Sequence, residues 1–71
     1  ELLPEDTIQL IFLKIHQYID AFDFTKIFDL LEEVKKYELP ETYQKVFEQL
    51  NTLMDELSID EINELLAKYQ K

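Results

Sequence analysis

The stretch from Ile8 to Phe22 constrains the fold of this chain more than any other part. In a helix, residues three and four apart share a face. The face formed in this stretch is apolar and consists of Ile8, Ile11, Phe12, Ile15, Ile19 and Phe22, with Tyr18 at its edge. Leu10 and Leu13 fall on the opposite side. The sequence therefore predicts a helix that buries one face in a core and carries two leucines on the other.

The chain also contains an internal repeat of about 35 residues. The tripeptide Leu-Pro-Glu at residues 3–5 recurs at residues 39–41, and the run 19–31 aligns with the run 54–66. A period of this size is typical of a helix–turn–helix unit. Two such units with short turns predict an all-α fold, an antiparallel up-and-down four-helix bundle made of two helical-hairpin repeats. We expect a single domain over residues 1–71.

Start and stop signals place the helices at about residues 4–21, 24–37, 40–57 and 58–70. Pro4 and Pro40 suit the first helical position, because the N–H that proline lacks would have no partner there. Leu39 precedes a proline, which disfavours the helical conformation, so the second helix is expected to end near Tyr37.

Two capping motifs are predicted at the hairpin turns. Asp23 is expected to cap the second helix. Ser58 is expected to open the fourth helix with a capping box completed by Glu61. The pairs expected to form hydrophobic staples around these caps are Phe22 with Ile27 and Leu57 with Ile62.

Composition excludes several kinds of site. The chain has no cysteine and no glycine, which removes disulfides, thiolate metal sites and glycine-dependent phosphate loops. Sixteen acidic against seven basic residues give a net charge of −9, which repels nucleic acids and anionic membranes. We therefore expect no cofactor, no nucleic-acid partner and no membrane partner.

No signal-peptide pattern is present, so the expected location is the cytoplasm. The first residue, Glu1 rather than Met, is expected of a domain cut from something longer or of a processed chain.

Metal binding and catalysis find little support in the residue pattern. His16 is the only histidine. The carboxylates around the first turn, Asp20, Asp23 and Asp29, lack the glycine and the alternating ligands of a calcium loop. Ser58 is assigned to capping and has no histidine beside it, so no nucleophilic triad is formed. We expect no metal site, no catalytic residues and no enzymatic activity.

His16 raises the possibility of phosphotransfer. A four-helix bundle with one histidine in mid-helix is similar to a histidine phosphotransfer domain, in which an exposed ring exchanges a phosphoryl group with an aspartate. Those domains surround the histidine with a pattern like Ala-His-x-Leu-Lys-Gly, whereas residues 15–20 read IHQYID. Asp20, one turn after His16, would repel a phosphoryl group. A boundary histidine without a role is the preferred interpretation, and phosphorylation of His16 is the alternative.

Residues 23–41 and their shorter echo at residues 57–66 resemble a helical module at the C-terminal end of some bacterial hybrid sensor kinases and response-regulator proteins. The resemblance is carried by an Asp-Phe turn at residues 23–24 and a Tyr-x-Leu-Pro turn at residues 37–40. It implies a compact bundle similar to a histidine phosphotransfer domain but without its histidine motif. We therefore expect a non-catalytic interaction module of an intracellular two-component signalling protein. A free-standing structural bundle, natural or designed, is a further alternative.

The back of the first helix is the predicted docking surface. Leu10 and Leu13 would form an apolar patch there, rimmed by polar residues. Phe28 lies off the centre of its own apolar face and is predicted to join a second patch. The residues predicted to contact a partner are Leu10, Leu13, Gln17 and Phe28, with Leu2 and Leu3 nearby. The expected occupant is a second copy of the chain, or a neighbouring domain of a longer protein.

Overall fold

A computed structural model describes residues 2–70 of the chain, so the first and last residues of the predicted domain lie outside the described range. The elements are α1 (Glu5–Asp20), α2 (Phe24–Val34), α3 (Glu41–Glu56) and α4 (Ile59–Tyr69). Within residues 2–70 there is no β-strand, and the one isolated bridge pairs Leu2 with Glu38. The prediction of an all-α fold with four helices is confirmed. The molecule measures 30 × 22 × 19 Å.

The helices pack as a closed ring. Each helix contacts the next along the chain, and α4 contacts α1. By contrast, no Cα atom of α1 lies within 8 Å of a Cα atom of α3. The two helices therefore face each other across the diagonal of the ring. The space between them is filled by side chains.

Phe12 occupies this central space and is fully buried. Its ring centroid lies 5.6 Å from the ring of Phe47, in a stacked arrangement, and 5.9 Å from the ring of Tyr43. Around it the core is entirely apolar apart from the tyrosine hydroxyl, because each helix contributes an apolar stripe. The predicted core residues of α1 that the structure buries are Ile8, Ile11, Phe12, Ile15 and Ile19.

Phe22, the last residue of the predicted α1 face, is not in the core. It is 80% exposed and has a φ of 56°. The Asp23 N–H donates to the Tyr18 carbonyl over 2.8 Å, and the Phe22 N–H donates to the Ile19 carbonyl over 3.0 Å. These two bonds form a Schellman motif, which ends a helix by placing one residue in the left-handed conformation.

The α3–α4 turn repeats this arrangement at the equivalent position of the second hairpin. Leu57 has a φ of 54° and is 53% exposed. The Ser58 N–H donates to the Leu53 carbonyl, and the Leu57 N–H donates to the Met54 carbonyl. The left-handed position usually holds glycine, since any Cβ there approaches the following carbonyl. A chain without glycine must place another residue there.

The predicted side-chain caps are wrong in this structure. Neither Asp23 nor Ser58 makes a side-chain capping hydrogen bond. Each directly follows a left-handed residue and has a ψ near 70° (68° and 74°) instead of the extended backbone that directs a cap side chain to the helix N–H groups. The Asp23 carboxylate instead pairs with Lys26 at 3.4 Å. Phe22 and Leu57, the outer members of the predicted staples, are 80% and 53% exposed, and the Phe22 ring lies 6.4 Å from the Phe24 ring.

Several helix boundaries also differ from the sequence prediction. Pro4 and Pro40 are extended residues just before α1 and α3, not the first helical residues. The second helix ends at Val34, three residues before the predicted end near Tyr37, because the Lys36 and Tyr37 N–H groups bond three residues back in a tightened last turn. The chain then extends, and the Glu38 carbonyl accepts the Leu3 N–H at 2.9 Å.

The left-handed conformation of Leu57 predicts that glycine at this position gives a more stable protein than alanine, the reverse of the order in a helix interior. Leu57→Gly removes the clash of the Cβ, whereas Leu57→Ala removes the same exposed side chain and keeps the clash. We expect the glycine variant to have a free energy of unfolding about 1 kcal/mol higher than the alanine variant. Thermal unfolding followed by circular dichroism should show this as a melting temperature about 4–8 °C higher.

The matched control is an interior helical position, where the order must be the usual one. At the exposed residue Thr52 in α3, the glycine variant should be less stable than the alanine variant by about 1 kcal/mol. Equal melting temperatures for the glycine and alanine variants of Leu57 would contradict the strain assigned to that turn.

Candidate interaction surface

The outward side of α1 carries the predicted patch. Leu10 is 57% exposed and Leu13 is 44% exposed, and they are one helical turn apart. Asp6 and Gln17 are also exposed on this side, one turn before and one turn after the leucines. We call Asp6, Leu10, Leu13 and Gln17 the α1 outer face. It points away from the core because Ile8 and Ile15 occupy the opposite side of the same helix.

Packing on α1 explains why this face has no cover within the described chain. The backbones of α2 and α4 approach α1, one on each flank, whereas α3 meets α1 only through side chains on its inner side. Leu3 does not extend the patch, contrary to the expectation that it lies nearby on the surface. It is buried in the groove between α1 and α2, and its N–H is held by the Glu38 carbonyl. Leu2 is exposed beside it.

Phe28 belongs to a different surface. It is an exposed residue of α2. The α2 flank that meets α1 is marked by Leu30 and Glu33, which line a shallow groove with Thr7 and Ile11. Phe28 lies on the other side of α2 from Leu30, since residues two apart on a helix face nearly opposite directions. The structure therefore does not bring Phe28 together with Leu10, Leu13 and Gln17.

His16 lies on the α4 flank of α1, not on the outer face. It is half-buried and sits two turns after Gln9, on the same side of the helix. The Gln9 amide donates to the Tyr69 carbonyl at the end of α4, over 3.1 Å. Among residues 2–70, no hydrogen bond or ion pair joins His16 to another group.

A polar cluster at the start of the bundle was not predicted from the sequence. The Tyr43 hydroxyl donates to the Glu5 carboxylate over 2.9 Å and accepts from the Gln9 amide at 3.4 Å. The Tyr43 ring also contacts the Tyr69 ring, with centroids 6.5 Å apart. These contacts join the start of α1, the start of α3 and the end of α4. Helical periodicity predicts which residues share a face of a helix, but it does not identify partners 38 residues apart in the sequence.

The α3–α4 hairpin contains a depression of about 600 Å³, and it too was not predicted. Leu53 of α3 and Leu65 of α4 form its apolar floor. Its rim carries Glu48, Glu61 and Glu64 against one lysine, Lys68. The Lys68 ammonium lies 5.7 Å from the centre of the Tyr69 ring. The depression is open and shallow, as expected for the groove between two helices.

Comparisons with known proteins add no assignment: no family model, no curated protein and no solved structure matches the chain. In the described part of the chain, no group of three or more histidine, cysteine, aspartate or glutamate side chains is placed to hold a metal ion. Nor does any helix within residues 2–70 have the length and apolar character needed to cross a bilayer.

The polar cluster predicts a specific loss of stability. Tyr43→Phe keeps the buried ring but removes the hydroxyl that joins Glu5 and Gln9. We expect the free energy of unfolding to fall by about 1 kcal/mol, the typical net contribution of such hydrogen bonds. Urea unfolding should show a lower midpoint with an unchanged slope, because the buried surface is the same.

Tyr37→Phe is the matched control, since Tyr37 is exposed and makes no hydrogen bond through its hydroxyl within the described residues. Its midpoint should stay at the wild-type value. A Tyr43→Phe midpoint equal to that of Tyr37→Phe would show that the cluster contributes nothing to stability.

Proposed function

We propose that this chain is a non-catalytic protein-interaction module of an intracellular, two-component-type signalling protein, and that it docks through the α1 outer face. The observation that carries the proposal is the exposure of Leu10 and Leu13 on successive turns of one helix. Adjacent exposed leucines form a ridge that a partner helix can cover. The sequence resemblance to signalling modules supplies the cellular setting, a cytoplasmic one.

The proposed arrangement of the bundle is antiparallel and up-and-down, with two repeated hairpins. Glu5 and Tyr43 meet near the starts of α1 and α3, and Phe12 meets Phe47 further along both helices. This order of contacts supports α1 and α3 pointing the same way. Gln9 reaches the end of α4, which supports α4 running the opposite way. Short turns between consecutive helices agree with this arrangement.

The size of the patch bears on its occupant. Two leucines and their neighbours cover much less than the roughly 800 Å² that each partner contributes to a stable interface. Such a surface suits weak self-association, or contact with a neighbouring domain of the same polypeptide, where tethering raises the effective concentration. Both occupants are compatible with a chain that binds no cofactor and no nucleic acid.

Self-association is the form of this contact that can be measured on the chain alone. We expect light scattering over a concentration series to show a mass rising above the monomer value of 8.6 kDa. Leu10→Asp combined with Leu13→Asp should hold the mass at the monomer value, because two carboxylates would be buried in the contact. The melting temperature should stay near that of the wild type, since both side chains are exposed.

The matched control places the same two charges elsewhere. Thr25→Asp with Gln49→Asp changes exposed residues of α2 and α3, and should self-associate like the wild type. Equal masses for all three proteins at every concentration would exclude the α1 outer face as a self-contact.

The alternative function is phosphotransfer through His16, which is favoured only by the partial exposure of that residue on a four-helix bundle. Asp20, one turn away, opposes it. We expect incubation with acetyl phosphate to leave no acid-labile phosphate on the chain. A label present on the wild type and absent from His16→Gln, with an unchanged melting temperature, would replace the interaction module with a phosphotransfer domain.

A further inference from the structure

We propose that the α1–α2 and α3–α4 turns form one docking surface for a basic, amphipathic segment of another protein. We call this surface, residues 20–23 and 55–61, the hairpin end. Phe22 and Leu57 would enter the partner's apolar side, and the surrounding carboxylates would pair with its lysines or arginines. The inference rests on the up-and-down arrangement proposed above, which places both turns at the same end of the bundle.

Phe22 and Leu57 single out this surface because each has two unfavourable features, an exposed apolar side chain and a strained backbone conformation. Both residues are large, apolar and well exposed, and both hold the left-handed backbone conformation that favours glycine. They occupy equivalent positions of the two hairpins. Strain of this kind is concentrated at functional sites. A binding role accounts for both features. The left-handed backbone directs the two side chains outward, and a partner would cover them.

Charge identifies the partner's chemistry. The hairpin end holds six acidic residues and no basic residue: Asp20, Asp23, Asp55, Glu56, Asp60 and Glu61. The nearest lysine in sequence, Lys26, is already engaged by the Asp23 carboxylate at 3.4 Å and by the Tyr18 ring at 5.8 Å. The turn at Leu57 borders an open depression of about 420 Å³ that Asp60 and Glu61 also line.

Other occupants fit these charges less well. A second copy of the chain would bring its own carboxylates against these, with a net charge of −9 on each molecule. An anionic membrane would be repelled in the same way. A basic segment with one apolar side complements both features, the carboxylates and the two exposed side chains.

The test is a titration of the ¹⁵N-labelled protein with an amidated peptide of about ten residues, in which lysines and leucines alternate to give an amphipathic helix. We expect amide shifts centred on residues 20–24 and 55–61. Affinity should weaken at least several-fold between about 0.05 and 0.5 M NaCl, because screening removes the charge contribution. Shifts centred on the α1 outer face or on the α3–α4 groove would overturn the proposal.

The decisive variant is Phe22→Gly with Leu57→Gly, which removes both side chains and keeps every carboxylate. Glycine suits both backbone positions, so the variant should remain folded, as circular dichroism would verify. We expect its affinity for the peptide to fall about tenfold or more. Unchanged affinity would show that charge alone attracts the peptide and would overturn the proposal. Leu10→Ser with Leu13→Ser is the matched control, and its affinity should stay within about twofold of wild type.

Two further arms separate this inference from the proposed function. Since the chain has no cysteine, Thr25→Cys gives one attachment point for a nitroxide label, which should broaden the amide signals of residues 57–60 if the two turns are neighbours. No broadening would overturn the shared surface and the up-and-down arrangement, without affecting self-association through α1. Binding of the chain to phosphatidylglycerol vesicles would assign the hairpin end to membranes instead.

Discussion

The bundle depends on Phe12, which spans the diagonal between two helices whose backbones do not approach each other. No Cα atom of α1 lies within 8 Å of a Cα atom of α3. Contact between these two helices must therefore come from long side chains. The Phe12 ring supplies it by stacking on Phe47 and tilting against Tyr43. Buried aromatic pairs contribute about 0.5–1.5 kcal/mol beyond the area that they bury. With α1 held by its inner side and flanked by α2 and α4, its outer face is left for Leu10 and Leu13.

Helical periodicity was enough to predict the four helices and the buried face of α1 from Ile8 to Ile19, because each residue's position on the helix follows from its number alone. The turns were not predictable by the same means. Capping rules use residue type, and Asp23 and Ser58 have suitable types. Their backbones, however, follow a left-handed residue that the rules usually recognise by glycine, and here that residue is Phe22 or Leu57. The early end of α2 is followed by pairing between Leu3 and Glu38, which no local pattern contains.

For the candidate surfaces too, features set by one helix could be predicted, and features set by contacts between distant segments could not. The exposure of Leu10 and Leu13 agrees with their positions on the helix, since one element alone determines it. Leu3 was expected on the surface and is buried, because α1 and α2 together form the groove that covers it. The hydroxyl of Tyr43 finds Glu5 across the bundle for the same reason. Contacts between distant segments are set by packing, which a single sequence without an alignment does not reveal.

The two proposed docking surfaces differ in what their apolar residues imply. Exposed leucines are common on soluble domains, and Leu10 and Leu13 lie on a helix with an otherwise ordinary backbone. Their exposure costs little, so it constrains function weakly.

Phe22 and Leu57 combine exposure with a backbone conformation that costs about 1–2 kcal/mol for a residue with a Cβ. In a domain of this size, such a cost is a noticeable fraction of a total stability of about 5–10 kcal/mol. A designed bundle would place glycine at both turns. The paired retention of bulky side chains there is therefore better explained by a contact at the hairpin end than by folding.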